Sequence, residues 1–487
     1  MKWLGIILIV LLSVGQPAAG QVRPEKPKPA RNYAAEINKP ALALPESQRA
    51  WLVYLDVMTN IAEDAPKLWH YHGYQPQRVI HNPEVVAFFN RHEAQRRRLI
   101  EASKLPHLGH ILSDERTAAD IRFSARRMTD EQRALYVAPE PQPPSDNPDL
   151  MAVLLQPCGE STELFDFLVG HALWSASAGE AAAALEDIET IFRIAAQLRE
   201  MPFVVADLYS LRRFSDGLHA WGMILERNPD TFSAEQLVRL ETAAKSFAQG
   251  QPLVRFSHES VFADLLQRNF PAEGAIVRGA PRLSEPASLL NLVFPVGKQI
   301  VLTRKKNLAA YENLIELAER ELKRPFWESN HEEFDRESAR IKADETLAFA
   351  ALMVFSLQNA QLRQESAIQL RDAVLTASAL TRFRLATGGY PRRLEELTPN
   401  YLPTIPPDRY TGQPMRYKDD AGKPMLYSVG NDGVDAGGVA AKVADSNAVG
   451  KAYPWYVNLL PQEETAEGDM ILFPTTAKLD PIDRVED

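Results

Sequence analysis

The sequence predicts a mainly α protein: stacked antiparallel helices followed by a small α+β domain at the C-terminus. Three observations carry this reading. Apolar residues recur at spacings of three and four through 161–247, the mark of amphipathic helices. Near 415–429 two short segments alternate with period two around a glycine turn, the mark of a hairpin. The 487 residues, 45% apolar and 24% charged, have ordinary globular composition and length for about three domains.

The first segment is an address. Lys2, an apolar run over 3–14, then Gln16-Pro17 and the small residues Ala18-Ala19-Gly20 have the layout of a signal peptide over 1–20. The run is shorter than the roughly 20 residues a spanning helix needs. Cleavage near Gly20 is expected, giving an exported chain, periplasmic or extracellular, that starts near Gln21 and has no stable membrane span. Cys158 is the only cysteine, so no disulfide forms within the chain, and a small buried side chain is expected there. With 54 basic against 64 acidic residues the net charge is −10, which gives no general attraction to nucleic acid.

Prolines 24, 27, 29, 40 and 45 make 21–46 read as an extended tether. A helical segment follows over 47–136, with patterns at 50–62 and 83–102. Prolines 139, 141, 143, 144 and 148 then remove enough backbone donors to predict a linker or loop over 137–160. The helical scaffold proper is expected over 161–362. Leu164, Phe167, Leu168 and Ala172 share one face, Gly179 breaks the run, and Leu185, Ile188, Ile191, Phe192 and Ala195 resume it, giving an antiparallel hairpin. A third helix spans 203–227, and Ser233 with Gln236 is a capping box opening a fourth. Helical patterns continue at 260–268, 298–323 and 336–361, with a weak interval at 271–295.

The α+β domain is expected over 363–475, with a tail over 476–487. A helix over 365–387 carries Leu370, Val374, Ala377, Leu380 and Phe383 on one stripe, and Gly388 stops it. Pro391 suits the first turn of a short helix bearing Leu394 and Leu397. Met415 and Tyr417, the turn Asp420-Ala421-Gly422, then Met425, Tyr427 and Val429 make the hairpin.

The string "ALTRFRLATGGYPRRLEELTPNYLPTIPPDRYTGQPMRYKDDAGKPMLYSVGNDGVDAGG", 379–438, resembles the globular domain of type II secretion system major pseudopilins. The carrying pieces are "TGGYP", the connection with Asp408, Gly412 and Pro414, and "LYSVGNDG". Two departures stand out: Arg409 replaces a usual proline, and the N-terminus has an ordinary signal in place of a prepilin-peptidase site. The resemblance implies an envelope or secretion-related protein partner. It also implies calcium in the loop after the hairpin, held by Asp432 and Asp435 with Asn431 and carbonyls. Calcium takes six to eight oxygens; the alternative is a turn in which glycines supply positive φ and aspartates accept from neighbouring amides.

Catalytic patterns are sparse. No G-x-S-x-G, Walker loop or dinucleotide fingerprint occurs. Ser161 reads as an N-cap. His70, His72, His81, His92, His107 and His110 cluster in sequence, but no H-E-x-x-H or cysteine joins them; surface and core histidines are expected over a zinc or copper site. Glu332-Glu333 and Asp419-Asp420 read as solvated charge, and Arg96-Arg97-Arg98 as local ion pairs with Glu93 and Glu101. Two readings follow. The first is a non-enzymatic exported envelope protein whose helical scaffold carries a protein-interaction module. The alternative is an exported hydrolase with an acid- or His-based site in the helical region.

Overall fold

The computed structural model describes residues 29–66, 80–117, 140–151, 153, 155–159, 161–247, 254–270, 275–278, 300–355, 357–420, 422–430, 433–439 and 468–474. The expected signal peptide and the tail lie outside them. Among the described residues the chain is mainly helical, with a small three-stranded antiparallel sheet, and no helix is long and apolar enough to cross a membrane.

An N-terminal layer holds α1 (Tyr33–Leu42), α2 (Ala50–Asp64), α3 (Pro83–Arg91) and α4 (Glu93–Ser103). The tether reading of 21–46 is corrected here, since α1 forms within it. Asn32 caps α1 by accepting from Ala35 N, and the buried Asn38 side chain exchanges two bonds with the Leu112 backbone, at 2.7 and 2.8 Å. Side-chain anchors outweigh the proline content. The pattern at 83–102 is two helices, broken at His92.

The main body follows: α5 (Thr162–Ser177), α6 (Ala181–Leu198), α7 (Val204–Arg227) and α8 (Ala234–Ser246). Gly179, at φ +84°, turns α5 into α6, as the hairpin reading requires. The capping box forms in both directions, Gln236 N donating to Ser233 Oγ at 3.2 Å and Ser233 N to Gln236 Oε1 at 2.9 Å. At Gly217 on α7 a Cβ would meet Ile191 Cγ2 at 2.7 Å and Phe192 at 2.8 Å, so the missing side chain lets α6 and α7 approach closely. Ser161 occupies the N-cap of α5 without capping it; its hydroxyl donates to Pro157 O instead. The segment read as a linker is tied to the helix Val254–Asn269: Leu150 N donates to the buried Asp264, and Arg268 donates to the carbonyls of Asn147 and Pro148. These bonds satisfy backbone groups that prolines leave out of regular structure.

A second apolar core gathers α9 (Val254–Asn269), α10 (Arg304–Leu322), α11 (Glu332–Ala343) and α12 (Ala348–Leu352). The helical reading of 298–323 is corrected at its start. Strand β2 (Ile300–Thr303) pairs antiparallel with β1 (Ala275–Arg278), and Thr303 then caps α10. The 336–361 pattern likewise divides among α11, α12 and the next helix.

That helix, α13 (Leu357–Thr387), runs 31 residues, about 46 Å at 1.5 Å per residue. The boundary expected at 362/363 falls inside it. Ala367, Leu370, Ala373, Val374, Ala377 and Leu380 sit in the same apolar core as the main body, and so do Leu426, Met470, Leu472 and Phe473 of the C-terminal sheet. Gly388, at φ +88°, ends α13. The single turn Leu394–Leu397 starts beyond Pro391, which therefore lies outside it. In the sheet, β3 (Arg416–Asp419) and β4 (Pro424–Ser428) form the expected hairpin, and β5 (Met470–Phe473), which the pattern did not announce, lies on the far side of β4.

Candidate functional site

The polar residues Gln361, Glu365 and Gln369 recur every four positions on α13, which puts them on one stripe of the helix. Each is buried, and each holds a different part of the chain. Gln361 Nε2 donates to Arg324 O and Ser329 Oγ, and its Oε1 lies 2.6 Å from His331 Nε2, so it fixes the connection between α10 and α11. Glu365 accepts from Arg409 Nε at 2.7 Å, and Gln369 Oε1 accepts from Arg409 N at 2.6 Å. Burial pushes the Glu365 carboxyl up, with Arg409 opposing it.

Arg409 is the position where proline was expected. Its guanidinium lies 5.2 Å from the Trp327 ring centre, and Tyr410 meets Phe326 edge-on at 5.6 Å. Trp327 also crowds Gly412, where a Cβ would come within 2.8 Å of its Nε1. Gly412 sits at φ +70°, a conformation glycine adopts without strain. The turn itself is held by Asp408, whose backbone O accepts from Gly412 N and whose buried carboxylate accepts from Tyr410 N, Ser428 Oγ and Val429 N. Burial nonetheless pushes the Asp408 carboxyl up.

Of the residues assigned to calcium, Asn431 and Asp432 lie outside the described residues. Asp435 is described: Oδ1 accepts from Gly437 N at 2.9 Å and Tyr427 OH at 3.3 Å, and Oδ2 lies 3.4 Å from Arg416 Nε. The buried Asp469, which sequence reasoning missed, holds the same loop by accepting from Ala436 N at 3.1 Å and Gly438 N at 2.5 Å. The described part of the loop is therefore a turn built on amide-to-aspartate bonds and positive-φ glycines. Among the described residues no group of three or more His, Cys, Asp or Glu is placed to hold a metal ion.

The catalytic candidates disperse. His70 and His72 lie outside the described residues, and His81 is exposed. His92 contacts Asp64 at 3.0 Å, and His110 meets Trp51 edge-on. His107 lies 3.5 Å from Glu200 in a non-helical segment, because Gly109 at φ +65° turns the chain there. Glu332, Glu333, Asp419 and Asp420 are exposed, Glu333 pairing with Arg320. Arg97 bonds Glu93 as expected. Arg96 also pairs with Glu93, at 3.3 Å, and in addition reaches inward, its Nε donating to Asp187 Oδ1 at 2.6 Å.

Asp187 also meets His171 Nδ1 at 2.6 Å, and Ser175 Oγ lies 3.2 Å from that same nitrogen. A serine–histidine–aspartate relay needs the serine and the carboxylate on opposite ring nitrogens. Here both share Nδ1, while Nε2 faces Glu93 at 3.9 Å. The cluster is nearly sealed, with Ser175 and Asp187 at 0% exposure. A second acid group lies on α5 beside α7, where burial pushes Asp166 up to about 7, opposed by Arg213. On α7 burial pushes His219 down to about 3. Cys158 is buried and inert as a nucleophile, its thiol pushed up to about 12 by burial.

Beyond the local Glu93–Arg97 spacing, the signal available in the sequence was the i, i+4 recurrence of polar residues inside the otherwise apolar pattern of α13. Comparisons with family models, with curated proteins and with solved structures return no match for this chain.

Proposed function

We propose that the chain is an exported envelope scaffold that works by protein contact, its helical body holding a small pseudopilin-like module at a set orientation for a secretion-related partner. The observation that supports this reading best is α13: one helix lies in the body's core and in the module's. Side chains reinforce the join. Arg382 Nε donates to Glu241 Oε1 of α8 at 2.9 Å and its NH2 to Tyr401 O at 2.6 Å, while Arg384 pairs with Asp230 at 2.5 Å. Val434 and Val439, exposed at 62% and 63%, put apolar surface on the module's loop. The test is affinity capture from envelope fractions with the intact chain and with Val434→Asp/Val439→Asp. A partner retained by the first and lost by the second, at equal melting temperature, supports the reading; substrate turnover by the purified chain, or capture indifferent to the loop, removes it.

In this reading calcium stabilises the loop through Asp432 and Asp435 with Asn431. Asp435 would exchange Arg416, a solvent-exposed pair worth about 0–1 kcal/mol. Calcium is expected to raise the melting temperature by the binding linkage, about 2.7 kcal/mol at a hundredfold excess over Kd. Identical melts in calcium and in chelator dispose of it.

A further inference from the structure

Beside the Glu365–Arg409 pair lies a cavity of about 190 Å3, counting the part open to solvent, lined by Leu362, Glu365, Ser366, Gln369, Arg409 and Tyr410 among others. The enclosed space is enough for about one water-sized group. Gln369, at 0% exposure, lines it and has a side-chain nitrogen with no hydrogen-bond partner among the described residues. The orientation of that amide is fixed by its other end, because Oε1 must face the Arg409 N–H that donates to it at 2.6 Å. A buried donor without an acceptor costs about 1–3 kcal/mol, so the site is disposed to take one in.

We propose that this cavity binds a carboxylate, one oxygen entering to accept from Gln369 Nε2 and the remainder staying at the mouth. Three features select that chemistry. The unpaired group is a donor, so the ligand must bring an acceptor. Ser366 and Tyr410 are among the lining residues. The Arg409 guanidinium, with its Nε–H donating to Glu365, offsets the negative charge that this lining carboxylate would otherwise turn on an anion. Leu362 and Phe326 add apolar lining that suits a short alkyl group.

The chemistry has two sources, a free small carboxylate or the end of a peptide chain. Sodium acetate is titrated into the full chain against sodium chloride at equal ionic strength, following the Gln369 side-chain amide by 15N NMR. The assignment comes from its loss in Gln369→Glu, which keeps the acceptor for Arg409 N and replaces the donor. The expected result is a saturable shift with acetate alone, together with an acetate-dependent melting rise that Gln369→Glu abolishes. A blocked dipeptide with a free carboxyl terminus that competes with acetate, where its amide does not, assigns chain ends as ligand; failure to compete assigns small free carboxylates. No saturable shift in the wild-type chain, an equal response to chloride, or an equal melting rise in Gln369→Glu overturns the proposal. Should the variant fail to fold, the wild-type melting temperature decides the matter, a saturable rise with acetate over chloride supporting the proposal and an equal response overturning it.

Discussion

Asp187 and Gln369 are both polar, both at 0% exposure and both on long helices, yet their neighbours treat them differently. Around Asp187 the donors come to it: Arg96 takes one oxygen and His171 the other, and Ser175 joins at the ring. Around Gln369 the described residues supply a donor to the carbonyl and nothing to the nitrogen. The difference teaches how to tell a stay from a site. A cluster that completes itself fixes helices against each other, as this one ties α4, α5 and α6. A cluster left one partner short keeps a capacity for something outside the chain.

The comparison breaks first at Asp187. Asp187→Ala leaves Arg96 and His171 buried without their shared anion, and a loss of about 3–5 kcal/mol is expected in denaturant unfolding. A loss below about 1 kcal/mol would mean that water reaches the cluster and that it is no stay. Gly412→Ala addresses the other side. It forces a non-glycine residue to φ +70° and sets a methyl against Trp327, a cost of about 2 kcal/mol. Because Trp327 backs Arg409, the variant is also expected to weaken the response to acetate. A full response at reduced stability would separate the wall from the site.

Asp166 is the intermediate case, a partly buried carboxylate near Arg213. Burial raises its folded pKa to about 7, against about 3.9 unfolded. The folded chain therefore binds the proton first as pH falls, so this group's stabilisation is complete below about pH 4 and is lost as pH rises through about 7. Asp166→Asn is expected to raise stability at pH 8 by on the order of 1 kcal/mol and to flatten that part of the pH profile. Unchanged melts at pH 8 and pH 5 would show that the carboxylate is solvated in the folded state.

Much of the fold was legible because local chemistry sufficed. Ser233 with Gln236 names its own helix start, Gly388 its helix stop, and the alternation around Gly422 its hairpin. What failed needed distant partners. Asn38 holds α1 through Leu112, so proline content misled at 33–42. Strand β2 depends on a segment some twenty residues earlier, and β5 reaches its sheet from well beyond the hairpin. The unity of α13 was hidden because its stripe changes character, from Gln361, Glu365 and Gln369 to Val374, Ala377 and Leu380. The site was less legible still. Arg409 reads as a misplaced residue until Glu365 and Trp327 are beside it.

A single rod common to two halves forbids tidy surgery. Cutting after Gln369 to harvest the C-terminal piece would strip the fragment of the helical turns beneath Arg409 and deprive the remainder of the strut that Glu241 grips. Neither product would inherit a finished interior, so this tail cannot be swapped or shed like a bead on a string.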